Sequence, residues 1–173
     1  MRILFLDVDG VLNHRGVYDA KNGPVPICPA ALGELSRVVG ETGCKIVLSS
    51  TWRLIPKLID KLPSDLVRDH FHGDWRTIEI RHGISPGGVY MPTKRGEEVA
   101  EWLGRHPEVE RYAIVDDDSD FLEEQLPFFV KTSFDGGGLT TECADRLISL
   151  LGGPARADGD AGIVTKHTNI AGA

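Results

Sequence analysis

Four short runs of consecutive apolar residues punctuate the chain: Ile3-Leu4-Phe5-Leu6, Ile46-Val47-Leu48, Tyr112-Ala113-Ile114-Val115 and Phe128-Phe129-Val130. Their hydrophobicity is continuous, not alternating, which predicts strands covered on both faces, as in a parallel sheet. Helical spacing appears between them. Leu32, Leu35, Val38 and Val39 share one face of a helix with Pro29 near its start and Gly40 near its end. Arg95 to Arg105 carries Val99, Trp102 and Leu103 on one stripe. Ala144, Leu147, Ile148 and Leu151 repeat at i, i+3, i+4 and i+7 before Gly152-Gly153 stops that helix. Strands alternating with helices predict a doubly wound α/β domain, a three-layer sandwich around a mostly parallel sheet.

Two stretches fit this pattern poorly. Asn13 to Pro29, with Gly16, Gly23, Pro24 and Pro26, reads as a long loop after the first strand. Pro63 to Pro92 holds His70, His72, Trp75, His82 and four glycines without clear periodicity. From Pro154 the chain is small and polar, so the expected division is one domain over 1–152 and a flexible tail over 153–173.

Composition narrows the possibilities without changing this outline. At 173 residues the chain is of single-domain length. A formal charge of −7 argues against general affinity for nucleic acid or a membrane surface, yet leaves room for a few local cations to recognise one phosphate. Three widely spaced cysteines (Cys28, Cys44, Cys143) with no CxxC pair read as reduced thiols. The only apolar run near the start, Ile3 to Leu6, is too short for a signal peptide or a span. A soluble cytoplasmic protein is expected.

The polar residues of interest follow the apolar strands directly. Leu6 leads into Asp7-Val8-Asp9-Gly10, Leu48 into Ser49-Ser50-Thr51-Trp52-Arg53, and Val115 into Asp116-Asp117-Asp118-Ser119-Asp120. In an open α/β sheet, ligands bind beyond the carboxyl ends of the strands, so these clusters are expected in one crevice. Carboxylates crowded this closely repel, and a cation is expected among them. Oxygen donors without a convergent Cys or His set favour Mg2+. An EF-hand reading of Asp116, Asp118 and Asp120 fails, because Phe121 stands where glycine is required and Pro127 where glutamate is. His70 and His72 flank Phe71, but no third ligand lies at sensible spacing, so they read as surface residues.

These residues resemble the haloacid dehalogenase (HAD) superfamily. Leu4-Phe5-Leu6-Asp7-Val8-Asp9-Gly10-Val11 is similar to its first motif, Ile46-Val47-Leu48-Ser49 to its second, Lys94 to its third and Ile114-Val115-Asp116-Asp117 to its fourth. The likeness spans Met1 to about Leu151. Leu48-Ser49-Ser50-Thr51-Trp52-Arg53 and Asp116-Asp117-Asp118-Ser119-Asp120-Phe121 are further similar to small HAD domains related to RNA-repair phosphatases. The resemblance implies a Rossmann-like fold and a phosphatase in which Asp7 attacks phosphorus to form an aspartyl-phosphate and Asp9 serves as general acid and base. It implies Mg2+ held by Asp7, the Asp9 carbonyl and Asp117, with Asp116 as the alternative ligand or supporting partner. Ser49 would hydrogen-bond the phosphoryl oxygens and Lys94 would neutralise their charge, with Arg95 able to take that part. Ser50, Arg53, Asn13 and Arg95 are the expected substrate-binding residues, with Arg53 alternatively in a surface ion pair.

Superfamily specificity comes from cap modules inserted after the first or second strand. Here 40 positions separate Asp9 from Ser49 and 45 separate Ser49 from Lys94, too few for a large cap. An open cleft is expected, lined by Asn13, His14, Arg15 and Tyr18 and suited to a bulky substrate such as a nucleic-acid end or a phosphoprotein. The phosphorylated substrate itself is expected to be a small molecule or a nucleic-acid end. The competing readings are a phosphotransferase of the same fold and a non-catalytic phosphate-binding module. A nucleotide-dependent kinase has no support, because no GxxxxGK[ST] loop is present.

Overall fold

The computed structural model describes residues 1–19, 26–80, 82–84, 90–91 and 94–152. The expected tail over 153–173 lies outside them. Five strands form one all-parallel sheet: β1 (Arg2–Leu6), β2 (Lys45–Leu48), β3 (Phe71–Arg76), β6 (Arg111–Asp116) and β7 (Phe129–Lys131), in the spatial order β3-β2-β1-β6-β7. The three central strands come from three of the four apolar runs, and every residue from Ile3 to Leu6, Ile46 to Leu48 and Ala113 to Val115 is buried. The fourth run, expected to be covered on both faces, instead ends a 3-10 turn at the exposed Phe128 and opens the edge strand β7, where only Val130 is buried. Alternate residues feed two cores. Leu4, Leu6, Ile46, Leu48, Ala113 and Val115 pack beneath α2 (Pro29–Thr42) and α5 (Thr141–Leu151). Ile3, Phe5, Val47 and Ile114 meet Val99 and Trp102 of α4 (Arg95–Arg105) on the other face. The chain therefore has the doubly wound, three-layer architecture of a Rossmann-like α/β fold.

The helix stops follow local chemistry. At α2 the left-handed cap is Gly43 (φ 64°), whose N–H donates to the Val39 carbonyl, so the helix runs through Gly40, where the sequence suggested an end. At α5 the cap is Gly152 (φ 74°), as expected. Its first turn is capped by the Thr140 hydroxyl, which accepts from the Cys143 N–H.

Both irregular stretches contain structure that the apolar pattern did not reveal. A five-residue helix, α1 (Arg15–Asp19), lies within the expected loop after β1. The second stretch supplies β3, the edge strand Phe-His-Gly-Asp-Trp-Arg, whose residues are half-buried or exposed. Gly73 and Asp74 are poor strand formers, and the β2–β3 register is irregular, Ile46 pairing with Phe71 but Leu48 with Arg76. Before β3 come a 3-10 turn (Thr51–Leu54) and the short α3 (Pro56–Ile59). After it comes a separate two-stranded antiparallel ribbon, β4 (His82–Ile84) and β5 (Tyr90–Met91). No large cap is present among the described residues. None of their helices is long and apolar enough to cross a membrane. Cys28, Cys44 and Cys143 are all free thiols.

Candidate active site

Register places the polar clusters side by side. Leu6 pairs with Leu48 on one flank and with Val115 on the other. The next residue of each strand, Asp7, Ser49 and Asp116, therefore falls in one row at the carboxyl edge. The Asp7 N–H donates to the Val115 carbonyl and the Ser49 N–H to the Leu6 carbonyl, both at 3.1 Å. The chain runs from β1 to β2 and β3 on one side, and β6 and β7 lie on the other. The crevice between β1 and β6 is thus the point where strand order reverses.

Two buried carboxylates face each other across this crevice, and Arg95 bridges them. Its Nη1 donates to Asp7 Oδ1 at 2.7 Å and to Asp116 Oδ2 at 2.5 Å. Asp116 Oδ1 also accepts the Asp118 N–H at 2.8 Å. Burial pushes Asp7 up to about 7, and the Asp116 carboxylate adds to the rise while Arg95 and the Ser50 hydroxyl oppose it. Burial likewise pushes Asp116 up to about 6, against Arg95 and the Asp118 N–H. Burial works against the charge on Arg95, yet Asp116 and Asp7 outweigh it and raise that pKa. One guanidinium is therefore not enough positive charge for the cluster.

Asp7, Asp116 and Asp117 each offer a carboxylate oxygen, all within 4.8 Å of one another. Asp117, the least buried of the three, is also raised, by burial and by Asp118. Its side chain lies against Gly10, where a Cβ would come within 2.2 Å of Asp117 Cγ and the backbone has φ 74°. Glycine is required there on both counts. An oxygen-only donor set short of cationic charge fits a hard divalent ion such as magnesium.

Asp9 is held at both oxygens. Asn13 Nδ2 donates to Oδ1 at 2.7 Å, and the Trp52 indole Nε1 donates to Oδ2 at 2.8 Å. Asn13 Oδ1 in turn accepts the Gly10 N–H at 3.0 Å, which locks the turn after β1. The Tyr18 hydroxyl lies 3.4 Å from Asn13 Nδ2, and burial and the Asp9 charge both raise its pKa.

Four expectations from the sequence change here. Asn13, read as a substrate contact at the cleft mouth, is fully buried and holds Asp9. Arg53, read as a substrate or surface residue, is also buried, with its guanidinium wholly engaged inside the fold. It donates to the carbonyls of Thr77 (3.0 Å), Ser49 (2.7 Å) and Ser50 (2.8 Å), and to Glu98 Oε2 at 2.6 Å. Ser50 is buried and spends its hydroxyl as the cap of the 3-10 turn, accepting the Trp52 N–H at 3.3 Å, and as a partner of Asp7. Lys94 is exposed in the N-cap position of α4. Adjacent helical positions diverge by about 100°, so it is Arg95 that turns into the carboxylates.

Ser49 stands as expected beside Asp7, and its Oγ is buried without a hydrogen-bond partner among the described residues. A buried hydroxyl is rarely left so, and an incoming phosphoryl oxygen is the kind of partner it lacks. Trp52 is the residue that pattern reading undervalued. Its burial marks it as packing, and only the fold shows that its one polar atom is aimed at Asp9.

A family model described as the HAD domain in Swiss Army Knife RNA repair proteins matches residues 3–144. No curated protein and no solved structure matches the chain.

Proposed function

The chain belongs to the family of HAD domains found in Swiss Army Knife RNA repair proteins, and from that premise we propose that it is a magnesium-dependent phosphomonoester hydrolase working through an aspartyl-phosphate on Asp7. The observation that carries this reading is the row of Asp7, Ser49 and Asp116 at three aligned strand ends, with Arg95 bridging the two carboxylates. Asp7, Asp117, Asp116 and the Asp9 carbonyl are the groups that would hold the magnesium ion. When bound, it would supply charge neutralisation for the phosphate and for the carboxylates whose pKa values burial raises.

The chain's own residues divide the work as follows. A carboxylate oxygen of Asp7 attacks phosphorus in line with the ester oxygen that leaves. Asp9 gives a proton to that oxygen, then takes one from the water that hydrolyses the acyl-phosphate. Trp52 and Asn13 hold the Asp9 carboxylate in place for both steps. Arg95 lies where it can contact the transferred phosphoryl group as well as Asp7, and the Ser49 hydroxyl can donate to a phosphoryl oxygen.

The family description names RNA repair, and the chain has no large cap among its described residues. Both support the phosphorylated end of a nucleic acid as substrate, reached by one exposed terminus and not by a broad basic surface. The test is phosphate release from 3′- and 5′-phosphorylated oligonucleotides and from an aryl phosphate, with magnesium or with chelator. We expect turnover that requires magnesium, prefers one oligonucleotide end, and falls by at least about a thousandfold in a folded Asp7→Asn variant. Wild-type-like rates in Asp7→Asn would overturn the mechanism, and an aryl phosphate used as well as any oligonucleotide would overturn the substrate.

A further inference from the structure

At the edge of the sheet opposite the carboxylates, β3 begins, α4 ends and the chain turns into β6. His72 is the second residue of β3, His106 caps the C-terminus of α4, and Glu108 lies in the turn that follows. One ligand atom from each of these three residues lies within 4.8 Å of the others. No third partner lies near His70 and His72 at useful spacing along the chain. The fold provides two, from residues more than thirty positions away.

His106 is held as a metal ligand is held, and His72 can take the same tautomer by donating from Nδ1 to the Asp74 carbonyl. His106 Nδ1 is 2.7 Å from the Trp102 carbonyl, which can only accept. Nδ1 therefore carries the ring proton in the neutral imidazole and Nε2 presents a lone pair, the tautomer that a metal ion binds. The ring is further immobilised by stacking on Trp102, with centroids 3.7 Å apart. Trp102 is itself fully buried, and its indole N–H donates to the Asp74 carbonyl at 3.0 Å. His72 packs edge-on against His106, with centroids 5.2 Å apart. Its Nδ1 lies 3.1 Å from the Asp74 N–H and 3.3 Å from the Asp74 carbonyl, so the ring has a backbone partner in either tautomer. A second carboxylate stands close by, with Asp74 Oδ2 3.7 Å from His106 Nε2 and oriented by Arg105 at 2.6 Å. Backbone carbonyls behind the imidazoles and a carboxylate nearby form the outer shell that orients histidine ligands in metal sites.

We propose that His72, His106 and Glu108 form a second cation site, specific for a divalent transition-metal ion of the zinc class. Two imidazoles and one carboxylate suit zinc or cobalt and not magnesium, which prefers the all-oxygen crevice at the other end of the sheet. Water or Asp74 completes the coordination. The ion would clamp the edge strand β3 to the junction of α4 and β6. The Glu108 carbonyl also accepts the N-terminal amine at 3.0 Å, which brings the entry to β1 into the same clamp.

The test titrates cobalt into the full chain carrying Asp7→Asn and Asp117→Asn, which weakens the crevice as a competitor. The visible d–d absorption of nitrogen-ligated cobalt is read, and zinc-induced thermal shifts are measured in parallel. We expect one cobalt per chain, unaffected by excess magnesium, and a Tm rise of about 5–10 °C at zinc a hundred times its Kd. His72→Gln should abolish the absorption, and Glu108→Gln should weaken binding by at least about tenfold. His106→Gln removes a ring stacked on the core, so its fold is checked by circular dichroism. Glu108→Gln, whose side chain is exposed, decides if that variant fails to fold. Absence of a cobalt spectrum in the parent protein, or a spectrum unchanged by both His72→Gln and Glu108→Gln, would overturn the site.

Discussion

Asp9 has two oxygens and two dedicated donors, and that pairing is a statement about reactivity at single residues. A carboxylate that must deliver a proton to a leaving oxygen and then take one from water works only if it stays where both atoms pass. Trp52→Phe keeps an aromatic ring in the core but removes the Nε1 donor 2.8 Å from Asp9 together with part of the indole, so a packing loss common to all substrates accompanies the loss of the donor. The expected loss depends on how much the leaving group needs an acid. Turnover of an alkyl phosphate should fall by about ten- to a hundredfold, while that of a dinitrophenyl ester, whose leaving oxygen needs no proton, should fall much less. Equal losses on both esters would mean that Trp52 matters only for packing.

At the scale of elements, α4 does two jobs with one face. Arg95 and Glu98 are three residues apart on it, so both side chains point towards the strand ends. Glu98 holds Arg53, and Arg53 holds the carbonyls of Ser49, Ser50 and Thr77. Burial raises the pKa of Glu98 and lowers that of Arg53, and each charge offsets the other. Deleting one member of such a buried pair leaves the other uncompensated at about 3–5 kcal/mol. Arg53→Met is therefore expected to lower the unfolding free energy by about that amount in urea titration, and to reduce turnover of large and small substrates alike. A loss under 1 kcal/mol, or a loss of activity confined to large substrates, would return Arg53 to the substrate side.

For the molecule as a whole, the buried carboxylates link stability to pH and to metal. Asp7 and Asp116 stand at about 7 and about 6 in the folded chain, against about 3.9 for an unfolded aspartate. The folded state therefore holds more protons between these limits. The stability that this protonation contributes is complete below about pH 4 and is lost as pH rises through 6 and 7. Under the proposed function, magnesium would compete with those protons and replace their neutralising effect. The gap in Tm between magnesium and chelator should accordingly be small at pH 5 and grow towards pH 8. A gap independent of pH would show that the ion is held elsewhere.

Sequence alone determined the layered architecture and the row of strand-end residues, because both depend on short-range regularities. In β1, β2 and β6 an uninterrupted apolar run marks a strand buried on both faces, and the residue after the run emerges at the carboxyl edge, whereas the run Phe128-Phe129-Val130 lies at the open sheet edge. Asp7, Ser49 and Asp116 were legible for that reason, as were α4 and α5 from their 3.6-residue spacing. The edge strand β3 was not, since an exposed edge needs no apolar run and Gly73 and Asp74 disguise it. Nor can spacing choose between Lys94 and Arg95, because helix phase at the first turn is settled by packing. Tertiary structure alone turned Asn13 and Arg53 from cleft residues into buried supports, and aimed the Trp52 indole at Asp9. It also brought His72 to His106 and Glu108. In each case the deciding partner lies on another element, and hydrogen bonds between distant segments leave no period in the chain that forms them.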